Sequence, residues 1–380
     1  MTQQKMMVLH FIDSGGLYGA ESVLLNLSEL MASSGRYEPV VGCIVPSAET
    51  QSDLYDKALE LGLRAEKIVI RNTMLLVDLP RAARQLKKMG VHLIHSHGYK
   101  PSVFGYVVKK LTRIEVMSTC HLWFKGSKGP LKMRVMVALE LFFYKSFKRV
   151  IGVSEPIKDV LVASGVPEPR VQVIQNGVKV GDELLVSNET LATLRQELRL
   201  TENDFCILNT GRLTKQKAQW DIISAAGFLR DQGIMARFFI VGEGELKEQL
   251  QSQIKAAKLE NSVEILGFRD DITELLQIAD LFVLPSLDEG MPMSLLEAAA
   301  VGLPIVATEV GDIPKLIVDQ VSGSVVPAGE PEILAQAIAA QIEDPNTGTN
   351  LAAAARKRVE QTYSTKAMFA QYDQVYQALK

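Results

Sequence analysis

Short apolar runs alternate with helical patterns along the whole 380-residue chain, and this alternation restricts its fold more than any other feature. A strand buried on both faces reads as a continuous apolar run, and a parallel neighbour is reached only through a crossover, usually a helix. Repetition of that unit predicts parallel sheets covered by helices on both faces. A first series of strands is expected at 7–12, 40–45, 65–70, 93–95, 115–119 and 149–153. A second begins afresh at 206–210 and continues at 237–241, 263–266, 281–285, 304–307 and 323–326, with helices at 218–230, 246–258 and 294–300 between them. One core rarely grows beyond ~250–300 residues, so the length also favours two domains. The expected protein is α/β, with two doubly wound, Rossmann-like domains over residues 1–176 and 177–360. The break falls after 171–177, where an apolar strand ends in Asn-Gly. A final helix, within 361–380, is expected to return to the first domain.

Composition narrows the class. With 47% apolar and 22% charged residues and no low-complexity tract, the chain can bury sizeable cores, which excludes disordered, collagenous and disulfide-scaffold classes. Cys43, Cys120 and Cys206 are odd in number and far apart, so they predict buried thiols in a reducing, cytoplasmic setting rather than a disulfide framework or a CxxC metal pair. The apolar run at 6–12 is too short for a signal-peptide core, and no window approaches the ~18 apolar residues of a membrane span. The net charge of −3 conceals an asymmetry: residues 1–176 carry 23 Lys+Arg against 15 Asp+Glu, whereas the remainder carry 18 against 29. A cationic first half is suited to an anionic ligand or membrane surface; an unevenly charged solvated surface would give the same count.

Three loops carry the chemistry. The first, Asp13-Ser14-Gly15-Gly16-Leu17-Tyr18-Gly19-Ala20-Glu21, lies between a strand and a helix, where glycines let backbone N–H groups approach an anion. Its spacing is not G-x-G-x-x-G, and no acidic residue ends the second strand, which disfavours a nicotinamide dehydrogenase. The second loop follows the first strand of the second series and contains Arg212, Lys215 and Lys217: a planar donor fork and point charges placed where open α/β sheets bind ligands. The third runs from Pro285 through Glu289, Gly290, Met291, Pro292 and Met293 to Glu297, so that two carboxylates flank a helix N-terminus. Either could equally be an ordinary loop or helix-surface acid. His95-x-His97 could share one strand face as metal ligands, but no carboxylate or cysteine accompanies the pair, and no metal site is expected. His121 follows a strand at its carboxyl end and is the stronger functional histidine. The sequence contains no DxD, the usual carboxylate pair for a metal-bound nucleotide diphosphate.

Taken together these residues resemble glycosyltransferase family 4, retaining enzymes of the GT-B fold. The resemblance spans nearly the whole chain: the glycine loop at 15–21, His121 after Ser118-Thr119-Cys120, Val153-Ser154, Ile174-x-Asn176-Gly177, Gly211-Arg212 with Lys217, Val241-Gly242-Glu243-Gly244, Leu266-Gly267-Phe268, and the E-x7-E from Glu289 to Glu297. Two segments depart from the family pattern. Gly311-Asp312-Ile313-Pro314-Lys315 replaces a frequent glycine and glutamate, and Lys215-Gln216-Lys217-Ala218 lacks the usual glycine after the lysine, which leaves Lys215 and Lys217 as rivals for the phosphate.

The resemblance implies two domains facing a cleft. Arg212 and Lys217 would hold the donor diphosphate, Glu297 the ribose, and backbone at Gly244 and Phe268 the base. Glu289 and the amides of Gly290, Met291 and Met293 would hold the donor sugar, His121 would contact that sugar across the cleft, and Gly15 and Gly16 would lie by the phosphates. It implies a nucleoside-diphosphate sugar as donor substrate, no cofactor, a glycan or lipid-linked acceptor, a place in cell-surface polysaccharide or glycolipid synthesis, and no nucleic-acid partner. A nucleotide-sugar epimerase or hydrolase, or a non-catalytic sugar-nucleotide-binding subunit, would share the donor site. On the acceptor side, residues 125–149 carry seven basic side chains against Glu140 alone, around an apolar middle. A helix there would be either a core helix with solvated ends or a peripheral contact with the inner face of an anionic membrane.

Overall fold

A computed structural model describes residues 5–17, 19–120 and 131–380 and divides the chain into two compact units. The first comprises Met1–Gly177 with Thr365–Lys380, and the second Val178–Ser364.

The first unit is built on a seven-stranded parallel sheet: β1 (Met6–Ile12), β2 (Tyr37–Val45), β3 (Arg64–Val69), β4 (Leu93–His97), β5 (Glu115–Cys120), β6 (Arg149–Gly152) and β7 (Val171–Val173). Their order is β3-β2-β1-β4-β5-β6-β7, so the winding reverses between β1 and β4. Alternate residues of β1 enter different cores. Leu9 and Phe11 pack with Ile94, Phe104 and Val116 on one face, and Ile12 packs with Leu24, Leu25 and Cys43 on the other. The Leu75–Met89, Tyr99–Thr112 and Leu131–Tyr144 helices lie side by side. The closing helix, Thr365–Leu379, packs along the Gly19–Ser33 helix and is pinned by polar contacts: Tyr37 Oη donates to Asp373 Oδ1 (2.5 Å), and Tyr372 and Tyr376 meet Thr119 and His95 at 2.9 and 2.8 Å.

The second unit repeats the plan with six parallel strands: β8 (Cys206–Thr210), β9 (Arg237–Val241), β10 (Val263–Gly267), β11 (Leu281–Leu284), β12 (Ile305–Thr308) and β13 (Ser324–Val326). The order is β10-β9-β8-β11-β12-β13, with the reversal between β8 and β11. Leu208, Phe239, Phe282 and Leu284 face one core while Ile207, Phe238, Ile240 and Val283 face the other, which is why these strands read as unbroken apolar runs. The chain leaves this unit beside the point where it entered: Val178 pairs with Ser364, and Val178 N–H donates to the Tyr363 carbonyl at 2.8 Å. All three cysteines are buried and unbridged. Among the described residues no helix is long and apolar enough to cross a membrane.

Candidate active site

An open α/β sheet leaves a crevice beyond the carboxyl ends of its strands where the winding reverses, because the loops from the two diverging strands pass to opposite faces. In the second unit those loops follow β8 and β11. They bring together side chains 72 residues apart: Lys217 Nζ lies 2.6 Å from Glu289 Oε1, with both side chains largely buried. Ser286 Oγ donates to the same Oε1 at 2.7 Å. The loops are joined as well, since Leu287 N–H donates to the Gln216 carbonyl (2.8 Å) and the Gln216 side-chain Nε2 to the Asp288 carbonyl (2.7 Å).

Neighbouring loops approach too closely for side chains. A Cβ on Gly244 would stand 2.3 Å from the Leu213 carbonyl oxygen, and Leu213 N–H donates to the Glu243 carbonyl at 3.0 Å, so the loops after β8 and β9 are in backbone contact. Gly311, after β12, has φ +55° and would place a Cβ 1.8 Å from the Glu289 carbonyl oxygen. Asp312 N–H donates to the Gly290 carbonyl at 3.0 Å, so the segment that departs from the family pattern supports the loop bearing Glu289.

After Glu289 the chain exposes Gly290, half-buries Met291, and enters the Met293–Val301 helix behind Pro292. The first amides of that helix have no intrahelical acceptor, so its N-terminus favours negative charge. Leu295, Leu296, Ala298 and Ala299 are buried, and Glu297 sits among them. Burial pushes its carboxyl up to about 7, and it makes no ion pair with a described residue. Its oxygens can accept from hydroxyl donors such as a ribose diol. Arg212 is exposed and forms no ion pair with a described residue, so its guanidinium is open to an anion. Of the two rival lysines, Lys217 faces Glu289, whereas Lys215 lines a separate hollow with Trp220, Leu246, Gln249 and Gln253. Phe268 is 64% exposed, immediately after Gly267.

In the first unit Gly15 and Gly16 form the turn after β1. Ser14 Oγ donates to the Gly16 carbonyl at 2.7 Å, and Lys100 Nζ pairs with Asp13 at 2.6 Å beside the β1/β4 reversal. His121 lies outside the described residues. His95 and His97 share one strand face, and the sheet order adds His10 from β1, which spacing along the sequence does not disclose. The three rings are buried, with one nitrogen of each within 4.8 Å of the others. Their contacts are those of a core network: His10 Nδ1 with His97 Nε2 (3.1 Å), His10 Nε2 with Met31 Sδ (3.2 Å), and His95 with the Tyr376 and Thr119 hydroxyls. Burial holds His10 neutral, its pKa lowered to about 3.

Two doubly wound units, the second with cations, carboxylates and a helix N-terminus gathered where its winding reverses, define a GT-B glycosyltransferase. Residues 18–181 match the family model described as Glycosyltransferase Family 4, and residues 192–358 match the model for glycosyl transferases group 1. The chain belongs to glycosyltransferase family 4. It is 27% identical to the amylovoran biosynthesis glycosyltransferase AmsK of Erwinia amylovora, across 98% of this chain and 95% of that one. It is 29% identical to the UDP-Gal:alpha-D-GlcNAc-diphosphoundecaprenol alpha-1,3-galactosyltransferase of Escherichia coli, over 67% of this chain and 68% of the relative. Among solved structures it shares its fold with Anabaena HepE in complex with UDP and glucose, at a TM-score of 0.83 and 23% identity, covering 98% of this chain and all of that one. AmsK and the galactosyltransferase are named glycosyltransferases, and this chain is a glycosyltransferase as well.

Proposed function

We propose that this enzyme transfers a hexose from a UDP-sugar to a lipid-diphosphate-linked glycan, with retention of configuration and without a divalent metal, in the assembly of a cell-surface polysaccharide. The observation that carries the donor site is the meeting of Lys217 and Glu289 at the β8/β11 reversal, beside Arg212 and the Met293–Val301 helix N-terminus. In this reading Arg212 and Lys217 hold the diphosphate, Glu297 the ribose, and backbone at Gly244 and Phe268 the base. Glu289 and the amides of Gly290, Met291 and Met293 hold the sugar, His121 contacts it, and Gly15 and Gly16 approach the phosphates. Charge develops on the diphosphate as the glycosidic bond breaks, so fixed cations and oriented amides stabilise the transition state more than the ground state. The absence of DxD from the sequence favours that arrangement over a metal-held diphosphate. UDP is the nucleotide suggested by the galactosyltransferase relative and by HepE, and the polymer role by AmsK. A panel of UDP-hexoses with a synthetic polyprenyl-diphosphate sugar tests it: acceptor-dependent release of UDP with a retained anomeric product is expected, and release that ignores the acceptor would overturn it.

The acceptor side of this reading is the three-helix face of the first unit. On the Leu131–Tyr144 helix, Val135, Leu139 and Phe142 are 51%, 45% and 63% exposed at spacings of four and three, which puts them on one stripe. Leu76, on the Leu75–Met89 helix, is 94% exposed. Glu140, the one acid of residues 125–149, is buried and accepts from the Tyr144 hydroxyl, with its carboxyl pushed up to about 7 by burial. Exposed Arg134 and Lys145 border this apolar stripe, with Lys148 close by and paired to Glu115 at 3.5 Å, a combination suited to the inner face of an anionic bilayer.

A further inference from the structure

Glu289 Oε1 accepts two hydrogen bonds of different character. Lys217 Nζ, at 2.6 Å, brings a mobile charge on a flexible stem that an incoming diphosphate would also attract. Ser286 Oγ, at 2.7 Å, is a neutral donor on a residue with no exposed surface. Phosphate cannot reach Ser286 as it can reach Lys217. Ser286 is itself anchored: it lies two residues beyond the carboxyl end of β11, and its carbonyl accepts from Thr308 Oγ1, on β12, at 2.6 Å. Thr308 is also buried. The path from Thr308 through the Ser286 main chain and hydroxyl to Glu289 thus runs inside the sheet.

We propose that Ser286, fixed by Thr308, is the positioning residue that holds the Glu289 carboxylate in place once the donor diphosphate has drawn Lys217 away. Glu289 Oε2, which neither partner occupies, is then presented to the sugar hydroxyls at a constant angle. Ser286 acts on the sugar through Glu289 and makes no contact with the nucleotide. This inference rests on the donor-site reading above and adds a residue that the E-x7-E spacing does not include.

Ser286→Ala removes only the hydroxyl oxygen and is expected to keep the fold. With UDP and UDP-glucose as probes, the variant should bind UDP within twofold of wild type, whereas its turnover of whichever UDP-hexose the wild type accepts should fall by about 10- to 100-fold. Added to Glu289→Ala, it should cause no further loss, because its effect passes through that carboxylate. Ser286→Cys, which keeps a weaker donor, should recover part of the turnover. Wild-type turnover in Ser286→Ala, or equal weakening of UDP binding and transfer, would overturn the proposal. Failure of the underlying reading would look different: Glu289→Ala and Arg212→Ala would both retain full transfer, whatever Ser286→Ala does.

Discussion

Lys217 and Glu289 form a 2.6 Å ion pair across the point where β8 and β11 part, linking the residue assigned to the phosphates with the residue assigned to the sugar. In the donor-free protein each satisfies the other. A nucleoside diphosphate must compete with Glu289 for the lysine. Glu289→Gln removes the competitor's charge, so UDP should bind about 3- to 10-fold more tightly while sugar transfer falls by at least about 100-fold. Calorimetric titration with UDP beside a transfer assay measures both. Weaker UDP binding in Glu289→Gln would mean that the pair cooperates in holding the nucleotide instead.

Glu297 gives a pH-dependent prediction. Its carboxyl rises from 4.5 to about 7 on folding through burial, so the folded chain keeps a proton that the unfolded chain has already released over that interval. The contribution of Glu297 to stability therefore falls as pH rises from about 4.5 to about 7 and is level above it. Glu297→Gln should stabilise the protein at pH 8 by about 1–3 kcal/mol and have much less effect at pH 5. Melting curves at the two pH values test the sign: a gain larger at pH 5 than at pH 8 would contradict the burial argument. Transfer should be impaired most at pH 8, where the neutral amide replaces an ionised carboxylate proposed to accept from the ribose hydroxyls.

The two series of apolar runs made both sheets legible in the sequence, since a strand buried on both faces announces itself without its partners. Strand order did not show there, and the site depends on it. Lys217 and Glu289 are 72 residues apart, and only the β8/β11 adjacency brings them into contact. Ser286 stayed hidden because nothing in a Pro-Ser-Leu-Asp-Glu loop shows which side chain turns inward. Glu297 could have been a surface acid from its spacing, yet its neighbours Leu295, Leu296, Ala298 and Ala299 mark a helix apolar on every side. His10 escaped attention because its companions His95 and His97 come from another strand.

Gly311 supports Glu289 from behind. It combines φ +55° with a Cβ position 1.8 Å from the Glu289 carbonyl oxygen, so Gly311→Ala must displace the backbone of one loop or the other. A strained backbone position of this kind costs about 1–3 kcal/mol. The melting temperature should fall by several degrees, and transfer should fall further than stability explains because Glu289 moves. An active variant with an unchanged melting temperature would show that the loop yields freely.

If cations and helix amides take the place of a metal, as proposed, transfer should continue in excess EDTA at close to its untreated rate. Complete loss on chelation, restored by Mg²⁺ or Mn²⁺, would require carboxylate ligands other than a DxD pair.

The stripe of Val135, Leu139 and Phe142 separates two accounts of the basic first unit. If the charge merely solvates the surface, the protein should ignore lipid whatever the salt. If the stripe enters the interface with Arg134, Lys145 and Lys148 near the headgroups, binding has an electrostatic part that salt screens and an apolar part that it does not. Sedimentation with phosphatidylglycerol vesicles should then show binding at low salt that weakens by about tenfold or more as ionic strength approaches 0.5 M, and little binding to phosphatidylcholine. Leu139→Asp with Phe142→Asp should abolish it, because each adds a repelled carboxylate and removes an inserted side chain. Both positions are exposed, so the melting temperature should stay near wild type. Undiminished vesicle binding by the double variant would place the contact elsewhere, and no binding to anionic vesicles at any salt would remove the membrane from the proposed function.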